Sequence, residues 1–390
     1  MKASAPAVEQ ASGRLARLWA AMFFLYAGTG SANPLLPVYM SWRGLADVEI
    51  GYLASLAASI SLAATLLISY FSDVIEGRSS LQALLCLASA SAVAAYTAAT
   101  GFAHFALLHP LYIALAFSTM SLSAAVAMDY LGQAKRGAGF GTMRTSGAAG
   151  WIAGTLAGGY SAQVWGFHAS FAFSASFFTI SALLYGPGLP RLAARGGGSR
   201  KLDLGALRRG DVLSVVAAIT VASIANPAYY TFLPLYMTQG LHASKLLASL
   251  AFTVTPLAEI PAMILLGSLS DRVGRRKVIA VCLAAYPVRF MLTGLLRNPL
   301  LVIAAQLLHG LTFGGLYVVT VAYLTEQMTG AAGVASSIFP VASNVGNMVG
   351  GYLLGVLLST YGFTTMYLAA AAISSLAIPL LYARVRIRFK

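Results

Sequence analysis

The chain has 390 residues, 58% hydrophobic and only 9% charged, with a net charge of +14. A soluble domain averages about 25% charged residues, and a single core stops growing at about 250–300 residues, so a soluble globular protein is excluded and a bilayer is the solvent that suits this composition. The positive charge does not mark a nucleic-acid binder, because the basic residues sit in short runs between apolar segments, as the positive-inside rule expects of membrane proteins.

Residues 1–14 read as a cytoplasmic tail. Apolar runs able to cross ~30 Å of hydrocarbon at about 1.5 Å per residue then recur at 15–40, 49–72, 81–99, 105–131, 139–163 and 169–187. The first is too long for a signal-peptide core and lacks a cleavage site. Segment 188–210 cannot span. It holds Gly196, Gly197, Gly198 and Ser199 with six basic residues, and it reads as a cytoplasmic linker. Six more runs follow at 211–237, 246–268, 278–296, 300–325, 333–358 and 365–383, and a basic tail closes the chain at 384–390. The expected fold is an all-α polytopic membrane protein of twelve transmembrane helices in two six-helix bundles, 15–187 and 211–383.

Of the 25 Lys and Arg residues, twenty fall on one side of these spans, three on the other and two, Arg144 and Arg289, inside them. Such asymmetry places both termini and the linker in the cytoplasm, with the plasma membrane as the expected location, and it favours an even number of spans. Abundant glycine (38 residues) and alanine allow close helix approach where lipid offers no hydrophobic driving force. Cys86 and Cys282 lie inside apolar runs and read as small core residues, not a disulfide framework.

The chain also repeats itself. Leu36-Pro37-Val38-Tyr39-Met40 matches Leu233-Pro234-Leu235-Tyr236-Met237 at an offset of 197, and Ser72-Asp73 matches Ser270-Asp271 at 198. Leu53 to Ala57 recurs at Leu247 to Ala251, and Gly158-Gly159-Tyr160 recurs at Gly350-Gly351-Tyr352. Ordered matches at nearly one offset imply two homologous halves with a site between them, the arrangement of many secondary transporters.

Ionisable residues in a bilayer cost about 2.5–3.5 kcal/mol each at its centre on insertion scales and need a partner, water or a function. Glu259 and Arg289 lie near the middle of spans eight and nine, and His309 lies at similar depth in span ten. Arg144 and Asp129 lie nearer the cytoplasmic ends of spans five and four, and antiparallel packing of those spans would bring them together. Asn33-Pro34 and Asn226-Pro227 recur in spans one and seven. Proline frees a carbonyl while asparagine offers donors and an acceptor, so these pairs suit a hinge, a cavity wall or a plain kink. Tyr26, Tyr229, Tyr230 and Tyr317 can line a cavity or simply pack. His104, His109, His168 and His242 fall near the outer side and read as interface residues. No metal-ligand spacing, P-loop or nucleophile constellation is present, so no metal, no cofactor and no enzymatic activity are expected.

Gly267-Ser268-Leu269-Ser270-Asp271-Arg272-Val273-Gly274-Arg275-Arg276-Lys277, between spans eight and nine, resembles the loop motif of the major facilitator superfamily. Its first-half counterpart keeps Asp73 and Arg78 but loses the leading glycine and most of the basic run. The segments Phe140 to Trp151, Ala258-Glu259, Val288-Arg289 and Gln306 to Gly314 are similar to the lactose-permease and phenylpropionate-permease-like branch. The resemblance implies alternating access without a cofactor, with a proton as coupling ion. It implies that Arg144 donates to substrate oxygens while Trp151, seven residues on and on the same helical face, stacks on a ring. Asp129, Asn33, Asn226 and Tyr230 complete the expected substrate wall. Trp151 as a packing aromatic and Arg144 as the neutraliser of Asp129 are the competing readings.

Glu259, Arg289 and His309 resemble the branch's proton-coupling cluster. Desolvation favours a neutral carboxyl and a nearby guanidinium an ionised one, so movement of Arg289 would alter the proton affinity of Glu259. Thr312 stands where the branch has an acid, three residues after the histidine. Either Glu259 couples alone or the protein is not proton-driven; a static buried pair is the third reading. The chain is therefore expected to move a sugar, nucleoside or aromatic acid, as a monomer in lipid with a small-molecule substrate and no nucleic acid. The alternatives are a drug or sugar exporter, a lipid flippase and a non-transporting sensor.

Overall fold

A computed structural model describes residues 5–75, 77–130, 136–186, 210–328 and 332–383. Most of the linker and all of the C-terminal tail lie outside them. No strand occurs among the described residues. Helix α1 (Ala5–Ala32) begins within the stretch expected as a tail. It passes through a 3-10 turn at Asn33–Leu35 into α2 (Leu36–Trp42). Pro34 has no N–H to continue the α ladder, so the first run tightens there without breaking.

Then come α3 (Asp47–Val74), α4 (Arg78–Ala95), α5 (Phe102–Tyr130), α6 (Arg136–Val164) and α7 (Phe167–Tyr185). The Glu49 carboxylate accepts from the Ala46 N–H at 2.8 Å and so starts α3. The seventh run is broken by its own sequence: α8 (Gly210–Ser223), α9 (Pro227–Tyr230) and α10 (Phe232–Leu235) meet at turns around Asn226-Pro227, and a π turn at Tyr236–Gly240 closes the run. Helix α11 (Lys245–Val273) is capped by Ser244, whose hydroxyl accepts from the Leu247 N–H at 3.2 Å. Helix α12 (Arg275–Leu295) follows Gly274, which has φ +99°. The tenth run is α13 (Pro299–Ala305), a 3-10 turn at Gln306–Leu308, a π turn at Gly310–Gly315 and α14 (Leu316–Gln327). Last are α15 (Ala332–Ser375), in truth two helices parted at Gly362 with φ +78°, and α16 (Ala377–Tyr382).

Among the described residues, nine helical stretches are long and apolar enough to cross a membrane, and one of them, Ala335–Tyr382, contains that parting at Gly362. With the α1 run and α6 beside them, the described residues supply twelve helical runs, as the hydropathy pattern predicts.

The described residues fall into two compact units, one within 1–36 and 60–198, the other within 37–59 and 199–390. In the first unit α1 packs on α6 and α7, and α4 packs between α5 and α7. A glycine seam sets the α1–α6 distance. A Cβ added at Gly150, Gly154 or Gly158 would lie 2.1, 2.2 or 2.2 Å from the carbonyl oxygens of Phe23, Ala27 and Ser31. Ser170, Ser174 and Ser181 of α7 donate to the carbonyls of Ser31, Gly28 and Ala21 at 2.9, 2.7 and 2.8 Å. Apolar surroundings offer no driving force for helix association, so close backbone approach and such hydrogen bonds supply it.

The second unit repeats the seam between α15 and the α8 run, where a Cβ at Gly346 or Gly350 would meet the Thr220 and Ile224 carbonyls at 2.4 and 2.0 Å. Residues 37–59 belong to this unit. Gly51 touches the backbones of Gly351 and Gly355, and the Ser55 hydroxyl accepts from the Tyr352 N–H at 2.7 Å.

Replacing Gly154 by valine is expected to abolish recovery of folded protein, because its new Cβ meets a backbone carbonyl that cannot yield. Gly141→Ala, on the same helix with nothing within 4 Å of the added Cβ, is expected to stabilise by about 0.5–1 kcal/mol. Thermal unfolding of the detergent-purified variants measures both.

Candidate functional site

The second unit encloses a guanidinium. Arg289 of α12 is 1% exposed, so every N–H it leaves unmade costs free energy that water cannot return. Its Nε and Nη2 both donate to Gln306 Oε1, at 3.0 and 2.8 Å. Its Nη1 meets His309 Nδ1 at 2.7 Å and donates to Thr312 Oγ1 at 3.1 Å. The Tyr229 ring covers its face, 4.3 Å from the guanidinium carbon. Gln306 is itself held: its amide donates to Thr293 Oγ1 and to the Val302 carbonyl at 3.1 and 3.0 Å.

His309 links this cation to an acid. The arginine donor on Nδ1 requires a lone pair there, which assigns the ring proton to Nε2. Nε2 lies 3.3 Å from Glu259 Oε1 and donates to it. A neutral imidazole thus bridges Arg289 and Glu259, and the network as a whole balances one positive charge with one negative. The Glu259 side chain retains 17% exposure against 6% for that of His309, so the acid is the more exposed end of the chain.

The irregular tenth run positions these groups. A Cβ at Gly310 would stand 2.5 Å from the Ala258 carbonyl, and one at Gly314 would stand 3.1 Å from the Glu259 backbone. Two glycines thus bring the run against α11 beside the acid, and its π turn shifts the register of side chains there. The rings of His309, Phe313 and Tyr317 stack in parallel, with centroids 5.4 and 6.3 Å apart and planes within 1° and 10°. Tyr230 meets His309 edge-on at 6.2 Å, and Tyr229 lies 4.7 Å from it.

Other expected site residues are placed differently. Asp129 does not pair with Arg144. It accepts from Arg78 Nη1 through both oxygens, at 3.3 and 3.2 Å, because α4 and α5 pack directly while Arg144 is exposed on α6. Trp151 is half-buried on α6, and its backbone carbonyl lies against Gly30 of α1. Asn226 is buried, with its amide donating to Ser343 Oγ at 3.3 Å. Asn33 sits in the 3-10 turn, and its buried Oδ1 has no partner among the described residues. His109, expected at an interface, is buried with Nδ1 2.9 Å from the Tyr96 hydroxyl.

The loop motif forms a second cluster at the basic end of the helices. Arg275 pairs with Asp271 and with Glu326, the latter at 2.9 Å, and donates to Ser270 Oγ and the Gly267 carbonyl. Gly274 supplies the positive-φ turn, and Arg272 is exposed. Arg276 donates to the Leu381 carbonyl and to Ser214 Oγ, the latter at 3.1 Å. The side chain of Asp73 lies outside the described residues. Glu326 escaped the sequence reading, yet it stands 197 residues after Asp129 just as Arg275 stands 197 after Arg78. Gln306 and Thr293 also escaped that reading as partners of Arg289, being neutral residues in apolar runs, although at the same offset they stand against His109 and Tyr96, which likewise meet at 2.9 Å.

The sequence profile of the family described as MFS_1 like matches residues 15–369. The chain is similar to sugar efflux transporter A of Dickeya chrysanthemi, 26% identical over 350 residues and 87% of each chain. It is similar to multidrug resistance protein MdtG of a Rahnella strain, 23% identical over 91% of this chain and 89% of that one. Among solved structures, that of the nucleoside transporter NupG superposes with a TM-score of 0.77 at 15% identity, over 96% of this chain and all of that one.

Gln306→Leu removes the acceptor of two Arg289 N–H groups and is expected to cost roughly 1–3 kcal/mol, read as a lower melting temperature. Leu307→Ala, one residue on at a 51% exposed position, is expected to change it far less.

Proposed function

From the premise that the chain belongs to the MFS_1 like family, and is a multi-pass membrane transporter of the major facilitator fold and not an enzyme, we propose that it exports small sugars across the plasma membrane in exchange for protons. Both termini then face the cytoplasm and the monomer is the working unit, its two six-helix halves rocking about a central site. The names carried by full-length relatives support the substrate class. The resemblance of Glu259, Arg289 and His309 to the lactose-permease branch supports proton use.

The observation that carries the proposal is the Arg289–His309–Glu259 chain. Protonation of Glu259 removes the charge that balances Arg289, at the more accessible end of the chain. The buried cation then gains by water entry or by a shift of helices, and deprotonation restores the dry, paired state. A proton is thereby coupled to a change of helix packing. Arg144 and Trp151 supply donors and a ring face for a polyhydroxyl solute in the first half, where an arginine fork beside an aromatic suits such a ligand.

A second reading, export of cationic amphiphiles, is favoured by the parallel rings of His309, Phe313 and Tyr317 and by similarity to MdtG. Thermal-shift screening with mono- and disaccharides against lipophilic cations separates the two, since a bound ligand raises the melting temperature by linkage.

In proteoliposomes with an acidic interior and labelled saccharides outside, the proton gradient is expected to drive accumulation by the wild type. Glu259→Gln is expected to abolish gradient-driven accumulation while sparing equilibrium counterflow. Undiminished accumulation by Glu259→Gln would overturn proton coupling through this residue.

A further inference from the structure

The two halves share a residue-by-residue register at their basic ends. At an offset of 197, Gly77 corresponds to Gly274, Arg78 to Arg275 and Asp129 to Glu326. The correspondence is structural as well as sequential. Gly77 and Gly274 have φ of +86° and +99°. Arg78 pairs with Asp129 at 3.2 Å, and Arg275 pairs with Glu326 at 2.9 Å.

The next loop position breaks the correspondence. Arg276 of the second half has Ser79 as its counterpart. Arg276 reaches the Leu381 carbonyl at the end of the last helix and the Ser214 hydroxyl on α8. The counterparts of those two partners are Leu184 and Arg17. Arg17 Nε donates to the Leu184 carbonyl at 2.7 Å, and its Nη2 donates to the Leu183 carbonyl at 3.0 Å. The same carbonyl is therefore served by a guanidinium in both halves, but from opposite neighbours. The last carbonyls of a helix have no intrahelical donor, and a cation there also meets the negative end of the dipole.

We propose that Arg17 is the first half's relocated loop arginine, a positioning residue that clamps the end of α7 to α1 as Arg276 clamps the last helix to α8. In each half the clamp joins the first and sixth helical runs at the basic end. It thus explains why the first-half loop has dispensed with its basic run after Arg78: the donor arrives from α1.

The test needs no substrate. Hydrogen exchange of the purified full-length protein reads the last turn of α7, where the Gly186 N–H donates to the Ala182 carbonyl at 2.9 Å. Arg17→Ala is expected to speed exchange at residues 182–186 roughly tenfold, the scale set by losing a charge-assisted hydrogen bond. Adding Ser79→Arg to Arg17→Ala is expected to restore slow exchange, because a guanidinium at 79 approaches Leu184 as Arg276 approaches Leu381. The reciprocal pair, Arg276→Ala with Ser214→Arg, is expected to behave likewise at residues 379–383. Unchanged exchange in Arg17→Ala, or a folded double variant whose exchange stays fast, overturns the proposal. If Arg17→Ala alone fails to fold, recovery of a cooperative melting transition by Ser79→Arg supports it, and continued failure overturns it.

Discussion

A guanidinium that cannot reach water constrains the second unit more than any other group. An arginine at the centre of a bilayer costs about 2.5–3.5 kcal/mol on insertion scales, and Arg289 offsets that cost only if its donors are met inside the protein. Four of its N–H contacts go to three residues of the tenth run, and its face goes to Tyr229 of α9. Those partners are in turn fixed: Gln306 by Thr293 and Val302, Tyr229 by the Thr255 hydroxyl at 3.1 Å. One buried charge thereby sets the packing of four helical runs. The tenth run is interrupted where it meets that charge: beside its 3-10 and π turns Gln306, His309 and Thr312 reach one guanidinium while Gly310 and Gly314 lie against α11.

Close backbone approach is the complementary constraint. Lipid is as apolar as leucine, so helices gain little by hiding apolar side chains from it. The seams at Gly150, Gly154 and Gly158 and at Gly346 and Gly350 substitute contact for that missing driving force. Serines of α7 that donate to α1 carbonyls beside the first seam add polar bonds where the backbone already accepts. Tight, glycine-lined pairs leave each unit little internal room to yield.

What could be read from the sequence divides along physical lines. Span positions were legible because a bilayer demands about twenty apolar residues per crossing, and the tightened turn at Pro34 and the break at Pro227 were legible because proline lacks a donor. Glu259, Arg289 and His309 were legible as a group because charge is rare at that depth, and the structure joins all three. The pairing of Asp129 was misjudged, since depth in adjacent spans does not say which helix faces which; α4, not α6, presents the cation. Gln306 opened a segment singled out by resemblance, but that Gln306 and Thr293 serve Arg289 was illegible, because neutral polar residues carry no charge signal. Glu326 and Arg17 were legible in principle, through the offset of 197, but only geometry shows that register to be held by hydrogen bonds.

The bridging histidine also answers the question that Thr312 raises. With no second acid in the network, a relay in which His309 itself carries the proton would be the obvious substitute. The geometry opposes it. Nδ1 already accepts from Arg289, and a proton placed there would set two donors facing each other beside a full positive charge. Protonation of His309 therefore requires Arg289 to leave first, whereas under the proposed proton exchange protonation of Glu259 would remove the counter-charge linked to Arg289 through His309. The hydroxyl of Thr312 fits this order of events: it holds one arginine N–H as a neutral acceptor, where a second carboxylate would anchor the cation whether or not Glu259 were protonated. Under the proposed exchange, a single acid would make the pairing of Arg289 depend on one proton.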